Sequence, residues 1–289
     1  MTELLKKIRE HAKVSQNEMA NELGVSFATI NRWENGHVYP NNLAQDRIFE
    51  FCSEHSIPLY DLIIERIKEE AEKIKKDKNH LVLYHGSKTG LKGKIKPISR
   101  DICDFGRGFY MGDEPGQALT LICDYLNPEF YIVSVDIRSL NCIEIPADIK
   151  WAMLVSYYRG RMEKIKDTAL YDEYSKMIND QDLVIGRIAD DRMFYVMDDF
   201  FSGLITDQTL VESLSALQLG KQYVAVTEKG CERIKIEKKI ELSHLEMKCL
   251  KDISSINRMK GIDAAEIIRK KNRRKGKYFD EILSKKGGR

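Results

Sequence analysis

The sequence contains no C-x-x-C pair. Its six cysteines, Cys52, Cys103, Cys123, Cys142, Cys231 and Cys249, stand far apart, which excludes a zinc knuckle and a disulfide framework and predicts reduced, mostly buried thiols. No apolar run approaches the length of a bilayer span, and the N-terminus MTELLKKIREHAK breaks every apolar stretch with charge. Neither a membrane segment nor a secretory signal is therefore expected, and the chain reads as cytoplasmic. A phosphate-cradling loop ending G-K-S or G-K-T is missing too. Net charge is scarce: 47 Lys and Arg against 45 Asp and Glu leave +2, too little for the whole chain to bind nucleic acid by charge alone. What charge asymmetry exists lies in the C-terminal run IIRKKNRRKGKYFDEILSKKGGR, from Arg269 onward a phosphate-binding tail or the solvated end of a helix.

What the 289 residues do contain is organised in two textures, consistent with one to three domains. Residues 16 to 36 read QNEMANELGVSFATINRWENG. Apolar Met19, Ala20, Leu23, Val25 and Ile30 recur at helical spacing, and Gly24 falls where a tight turn between helices needs positive φ. Ser15 with Glu18 predicts a capping box, and Ser26 a second N-cap. The stretch, carried by Gln16, Ala20, Leu23, Gly24, Val25, Ser26, Ile30, Trp33, Glu34, Asn35 and Gly36, resembles the lambda-repressor-like (Cro/C1-type) helix-turn-helix family over residues 1–64. The resemblance implies that Phe27, Ala28, Thr29, Asn31 and Arg32 face operator DNA, with Gln16 near the phosphate backbone, and that the protein acts as a homodimer. Ile30 and Trp33 read as core. Few basic residues flank this helix, so a bundle that serves dimerisation or protein contact stands beside the DNA-binding reading.

A charged stretch over residues 63–79 places Glu and Lys at i, i+4 spacing and predicts an exposed helix, here taken as a linker over 65–80. Beyond it the chain reads as an α+β domain over residues 81–240. Strands are expected in LVLYHGS, RGFYM, FYIVSVDI, DLVIGRI and QYVAVTE, and helices around 114–126, 148–161, 168–179, 191–202 and 207–217. A basic helical tail, 241–289, completes a multidomain chain whose first domain is an all-α bundle.

The most informative stretch is DFGRGFYMGDEPGQA, residues 104–118. Its third glycine falls one residue late for a dinucleotide fingerprint. Taken with LYHGS some twenty residues earlier, it resembles the NAD-binding core of ADP-ribosyltransferases of the poly(ADP-ribose)-polymerase and diphtheria-toxin type, and VIGRIADDRMFYVMDDFFSGLIT through QYVAVTEKG is similar to a bacterial branch of that clan. The resemblance implies NAD as substrate, bound by His85, Gly86, Ser87, Gly108, Phe109 and Tyr110. In this reading Tyr110 gives an aromatic face, Gly86 bares its backbone to the carboxamide and His85 holds a ribose hydroxyl. The clan's later glutamate falls on Gln222, which can hold a hydroxyl but cannot act as a base. Asp190, Asp191 and Glu228 are the replacement carboxylates, Asp191 first among them. Two functions follow. One is a DNA-binding mono-ADP-ribosyltransferase, a toxin or phage-defence effector of the kind that comes with a neutralising partner protein. The other is a transcriptional regulator with an inactive, NAD- or protein-sensing domain.

Overall fold

The computed structural model describes residues 1–74, 77–189, 195–216, 220–272 and 275–287. Five helices open the chain: α1 (Thr2–Ala12), α2 (Gln16–Leu23), α3 (Phe27–Glu34), α4 (Asn42–Glu54) and α5 (Leu59–Glu72). The capping box forms as the spacing predicts: Glu18 N donates to Ser15 Oγ (3.2 Å) and Ser15 N donates to Glu18 Oε2 (2.7 Å). Gly24 ends α2 at φ +65°, the left-handed turn that a side chain would strain, and Ser26 Oγ accepts from Thr29 N to start α3. Ile8, Met19, Leu23, Ile30, Trp33, Ile48 and Phe51 pack between the helices.

The rest of the chain builds one seven-stranded sheet. Its strands are β1 (His80–Ser87), β2 (Phe109–Gly112), β3 (Glu129–Asp136), β4 (Cys142–Ile145), β5 (Leu183–Arg187), β6 (Lys221–Ala225) and β7 (Ile234–Ile240), in the order β4-β5-β6-β2-β1-β3-β7. Only β4 and β5 run parallel; the other neighbours are antiparallel. Helices α6 (Pro115–Ile122), α7 (Ile149–Tyr158), α8 (Ala169–Lys176), α9 (Tyr195–Phe201) and α10 (Asp207–Leu214) fall where sequence periodicity puts helices, with α9 beginning after residues outside the described set. A short α11 (Glu228–Glu232), a 28-residue α12 (His244–Lys271) and α13 (Phe279–Gly287) complete the chain. All six cysteines are free thiols; four are buried, Cys103 is half-buried and Cys142 is exposed. Burial pushes Cys52 and Cys249 up to about 12, so both stay protonated and inert.

The charged stretch after residue 62 is helical as far as Glu72, but it is not an exposed helix. Ile63 and Ile67 are fully buried and Ala71 nearly so, in a stripe at i, i+4 and i+8, and this stripe belongs to a core continuous with Leu119, Ile122 and Phe130 of the sheet side and Leu245, Cys249 and Leu250 of α12. Its carboxylates pair outward to other elements, Glu65 and Glu69 to Lys7 of α1 and Glu70 to Lys238 of β7. Helix α12 spans the two halves. Its start is fixed to α4 and α5 by Arg66–Glu246, by His244 and Lys248 on Asp46, and by Leu245 N donating to Gln45 Oε1.

Candidate functional site

Two surfaces carry chemistry. On the first, α3 packs against α1 and α2 and leaves Phe27, Ala28 and Arg32 exposed. The Thr29 hydroxyl is engaged with Ser26 Oγ at 2.9 Å. Gln16 and Asn31 are tied into a small network around Glu34: Gln16 Nε2 donates to Glu34 Oε2 (2.8 Å), Asn31 Nδ2 to Gln16 Oε1 (3.4 Å) and Arg9 Nε to Glu34 Oε1 (2.6 Å). Burial raises the Glu34 carboxyl, but the bonds from Arg9 and Gln16 outweigh it and hold it below its usual range. Residues 1–64 hold only six Lys and Arg against nine Asp and Glu, so one copy offers few phosphate contacts.

The second surface is an opening in the sheet. β1 and β2 pair only at Tyr84↔Gly112. Continued antiparallel register would set His85 opposite Met111, Gly86 opposite Tyr110 and Ser87 opposite Phe109, yet no such pair forms between these described residues. β1 keeps its full ladder with β3, and β2 its ladder with β6. Where the ladder between β1 and β2 ends, a side chain takes its place: His85 Nδ1 lies 2.7 Å from the Tyr110 carbonyl oxygen. A carbonyl only accepts, so Nδ1 carries the proton and Nε2 of the neutral ring is an acceptor. The imidazole stacks on Phe109 with centroids 4.1 Å apart.

Burial depresses the His85 pKa, opposed by the bond to the Tyr110 carbonyl. The folded protein therefore favours neutral imidazole more than the unfolded chain does, so His85 adds stability above about pH 6.5 that is lost as pH falls below it. Urea midpoints are expected to drop more steeply below about pH 6.5 in the wild type than in His85→Gln; matching slopes would remove this assignment.

The glycines and Tyr110 serve the protein's own packing. A Cβ on Gly86 would lie 2.6 Å from the Ala118 carbonyl oxygen, because α6 rests directly on β1 there. Gly108 lies against Val224, and Gly106, at φ +73°, against the Tyr158 ring. The Tyr110 hydroxyl donates to Gly106 O (2.7 Å) and accepts from Phe105 N (3.0 Å), which pins the loop before β2. Burial, then the Asp104 charge, raise its pKa, so the phenol stays protonated. Strand alternation puts the Tyr110 side chain, with Tyr84, Gly112 and Gln222, on one face and His85 on the other.

Gln222 is thus not beside His85. It is buried at the zipped end of β2, where Nε2 donates to Asp104 Oδ2 (2.7 Å) and Arg187 O (2.9 Å). Asp104 also accepts Arg159 Nε (3.0 Å) and Nη2 (2.7 Å) on Oδ1 and Ala189 N (3.1 Å) on Oδ2. Asp190 and Asp191 lie outside the described residues. Glu228 opens α11 beyond Ala225, the β6 residue paired with Phe109 at the open end. The sequence reading also passes over a carboxylate on the His85 face: β3 sets Tyr131 opposite His85 and Glu129 opposite Ser87. The Tyr131 hydroxyl donates to Glu129 and accepts from Leu91 N, and bonds from Lys239 and then Tyr131 hold the Glu129 carboxyl low. The alternation in EFYIVSVD was the available signal.

Residues 81–236, more than half of the chain, match the model of a family described as a protein of unknown function, DUF3990. The chain belongs to this family. Residues 5–48 match a helix-turn-helix model, which makes the N-terminal unit a DNA-binding helix-turn-helix and supports a DNA-binding regulator. No curated protein matches the chain, and no solved structure does. The DUF3990 region contains the whole β1/β2 opening and the Asp104–Gln222 network, while α12 and α13 lie beyond it. No described helix is long and apolar enough to cross a membrane.

Proposed function

We propose that this DNA-binding regulator takes NAD into the β1/β2 opening and transfers its ADP-ribose to an acceptor. The observation that carries the reading is His85, which bridges the parted strands through Nδ1 and so keeps Nε2 as an acceptor for a ribose hydroxyl. Phe109, stacked on the imidazole, fixes the ring so that this acceptor is already oriented. In the transfer, the bond between ribose C1′ and the nicotinamide nitrogen breaks with its electron pair going to that nitrogen, which becomes neutral. The acceptor's nucleophile then bonds C1′ and loses its proton. Glu129 and Tyr131 share the His85 face, and Glu228 stands beyond the open end. These carboxylates are the described candidates for stabilising positive charge on the ribose, with Asp190 and Asp191 still proposed for the same role.

A second reading, a regulator that binds NAD without turnover, draws on Gln222, whose amide is committed to Asp104 and Arg187. Incubating the full chain with adenylate-labelled NAD, alone and with lysate, DNA or RNA, separates the two. Transfer is expected from the wild type and should fall on the order of 100-fold in His85→Ala, the scale of a lost positioning contact. Binding of NAD with neither transfer nor nicotinamide release would select the second reading, and no binding would discard both.

A further inference from the structure

The basic C-terminal run begins as the last turn of α12, with Arg269 half-buried and Lys270 and Lys271 exposed as at a solvated helix end. After α12 the chain folds back on α10: Lys277 N donates to Asp207 Oδ1 (2.8 Å), Asp207 N donates to Lys277 O (2.9 Å), and Phe279 is buried against Phe200 and Phe201. The fold-back borders a half-open cavity of about 340 Å³ lined by Leu204, Ile205, Thr206, Thr209, Arg269, Lys270, Asn272 and Tyr278. Its polar lining is cationic or neutral. Arg269 is half-buried and paired to Asp199 at 3.0 Å, Lys270 is exposed, and Thr206 caps the N-terminus of α10 with its hydroxyl 3.1 Å from that of Thr209. The first N–H groups of α10 are already bonded, Gln208 N to Asp207 Oδ1 and Thr209 N to Thr206 Oγ1, so at this end the hydroxyl pair is what faces the cavity.

The independent sign of a ligand is Asn272. It is fully buried on the cavity wall, and neither Nδ2 nor Oδ1 has a hydrogen-bond partner among the described residues. Glu212, whose carboxyl is held low first by Gln208 and then by the Asn272 amide, stands near it without meeting hydrogen-bond geometry. A buried amide whose oxygen meets no donor, and whose nitrogen has only this carboxylate short of hydrogen-bond geometry, is uncommon unless something else satisfies it.

We infer that this cavity is a binding site for a small phosphomonoester of mononucleotide size. The phosphate meets Lys270, Arg269 and the Thr206–Thr209 hydroxyl pair, the Asn272 amide supplies its oxygen as an acceptor, and the organic body lies on Leu204, Ile205 and the Tyr278 ring. The volume suits a ligand of this scale. The site is separate from the β1/β2 opening and stands whether or not NAD binds there.

The test is calorimetric titration of the full chain, carried in a His85→Ala background to silence the opening, with adenosine 5′-monophosphate as probe and adenosine as control. The monophosphate should bind, and adenosine at least about tenfold more weakly, the value of a charge-assisted contact. Lys270→Gln, a surface change that leaves folding intact, and Asn272→Leu should each weaken the monophosphate about tenfold. No binding at millimolar monophosphate, equal binding of adenosine, or binding unchanged in both variants overturns the site.

Discussion

Replacing Asp104 by alanine is expected to cost about 3–5 kcal/mol of folding stability, the scale for removing one partner of a buried ion pair. Asp104 is 4% exposed and joins four segments: the loop before β2, the end of α7 through Arg159, the exit of β5 through Ala189, and β6 through Gln222. The alanine variant withdraws this acceptor from the partly buried Arg159 guanidinium and from the buried Ala189 N–H, and desolvation is not returned when the bond is lost. Urea unfolding of wild type, Asp104→Ala, Arg159→Ala and the double variant measures it. The double should cost less than the sum of the singles, because the two side chains act on each other. A single-variant loss below about 1 kcal/mol, as for a surface pair, would mean that the network contributes only geometry.

The other large effect is expected at Glu246, on α12. Its Oε1 accepts Arg66 Nη2 at 2.5 Å, while Oε2 accepts Ser243 N (2.8 Å) and Ser243 Oγ (2.6 Å). One side chain, 1% exposed, therefore caps α12 and neutralises an arginine of α5. Glu246→Ala removes the capping box, about 1 kcal/mol, and leaves Arg66, whose Nε already has no partner, without the carboxylate that offsets its burial. A total of about 3–5 kcal/mol follows. Glu246→Gln, which keeps acceptors but not charge, should lose distinctly less. If the glutamine variant unfolds at the same denaturant concentration as the wild type, the charge across this contact has no energetic role.

What the sequence made legible is local. The Ser15–Glu18 box, the Gly24 turn, and buried Ile30 and Trp33 lie within a few residues of one another, and spacing alone specifies them. The five expected strands are apolar and are found. β4 and β7 were passed over because they are edge strands: β7, IKIEKKI, buries only Ile234 and Ile240 and points charge outward at most other positions, so it reads as a basic stretch. The His-Gly and Gly-Phe-Tyr segments were visible, but their relation was not. Whether β1 and β2 zip or part is decided by α6 resting on Gly86 and by the His85 side chain, neither of which is a property of either segment alone. Gln222 and Asp104 are 118 positions apart, and nothing in the residues around Gln222 announces that its amide is already spent. The charged stretch misled for a related reason. Its Glu and Lys spacing fits a solvated helix, while Ile63, Ile67 and Ala71 follow the same helical period on the opposite face.

The core that runs unbroken from α1 through α5 and α6 to β1 and β3 also fixes a direction. With Tyr60 of α5 lying against Gly116 of α6, and α6 against Gly86 of β1, side chains pack continuously from the helix-turn-helix to the opened strands. A copy seated on its operator points the opening at one bearing around the double helix, and moving the operator by half a helical turn carries that bearing to the opposite side. If the proposed transfer takes place there, its acceptor is chosen by compass as much as by chemistry.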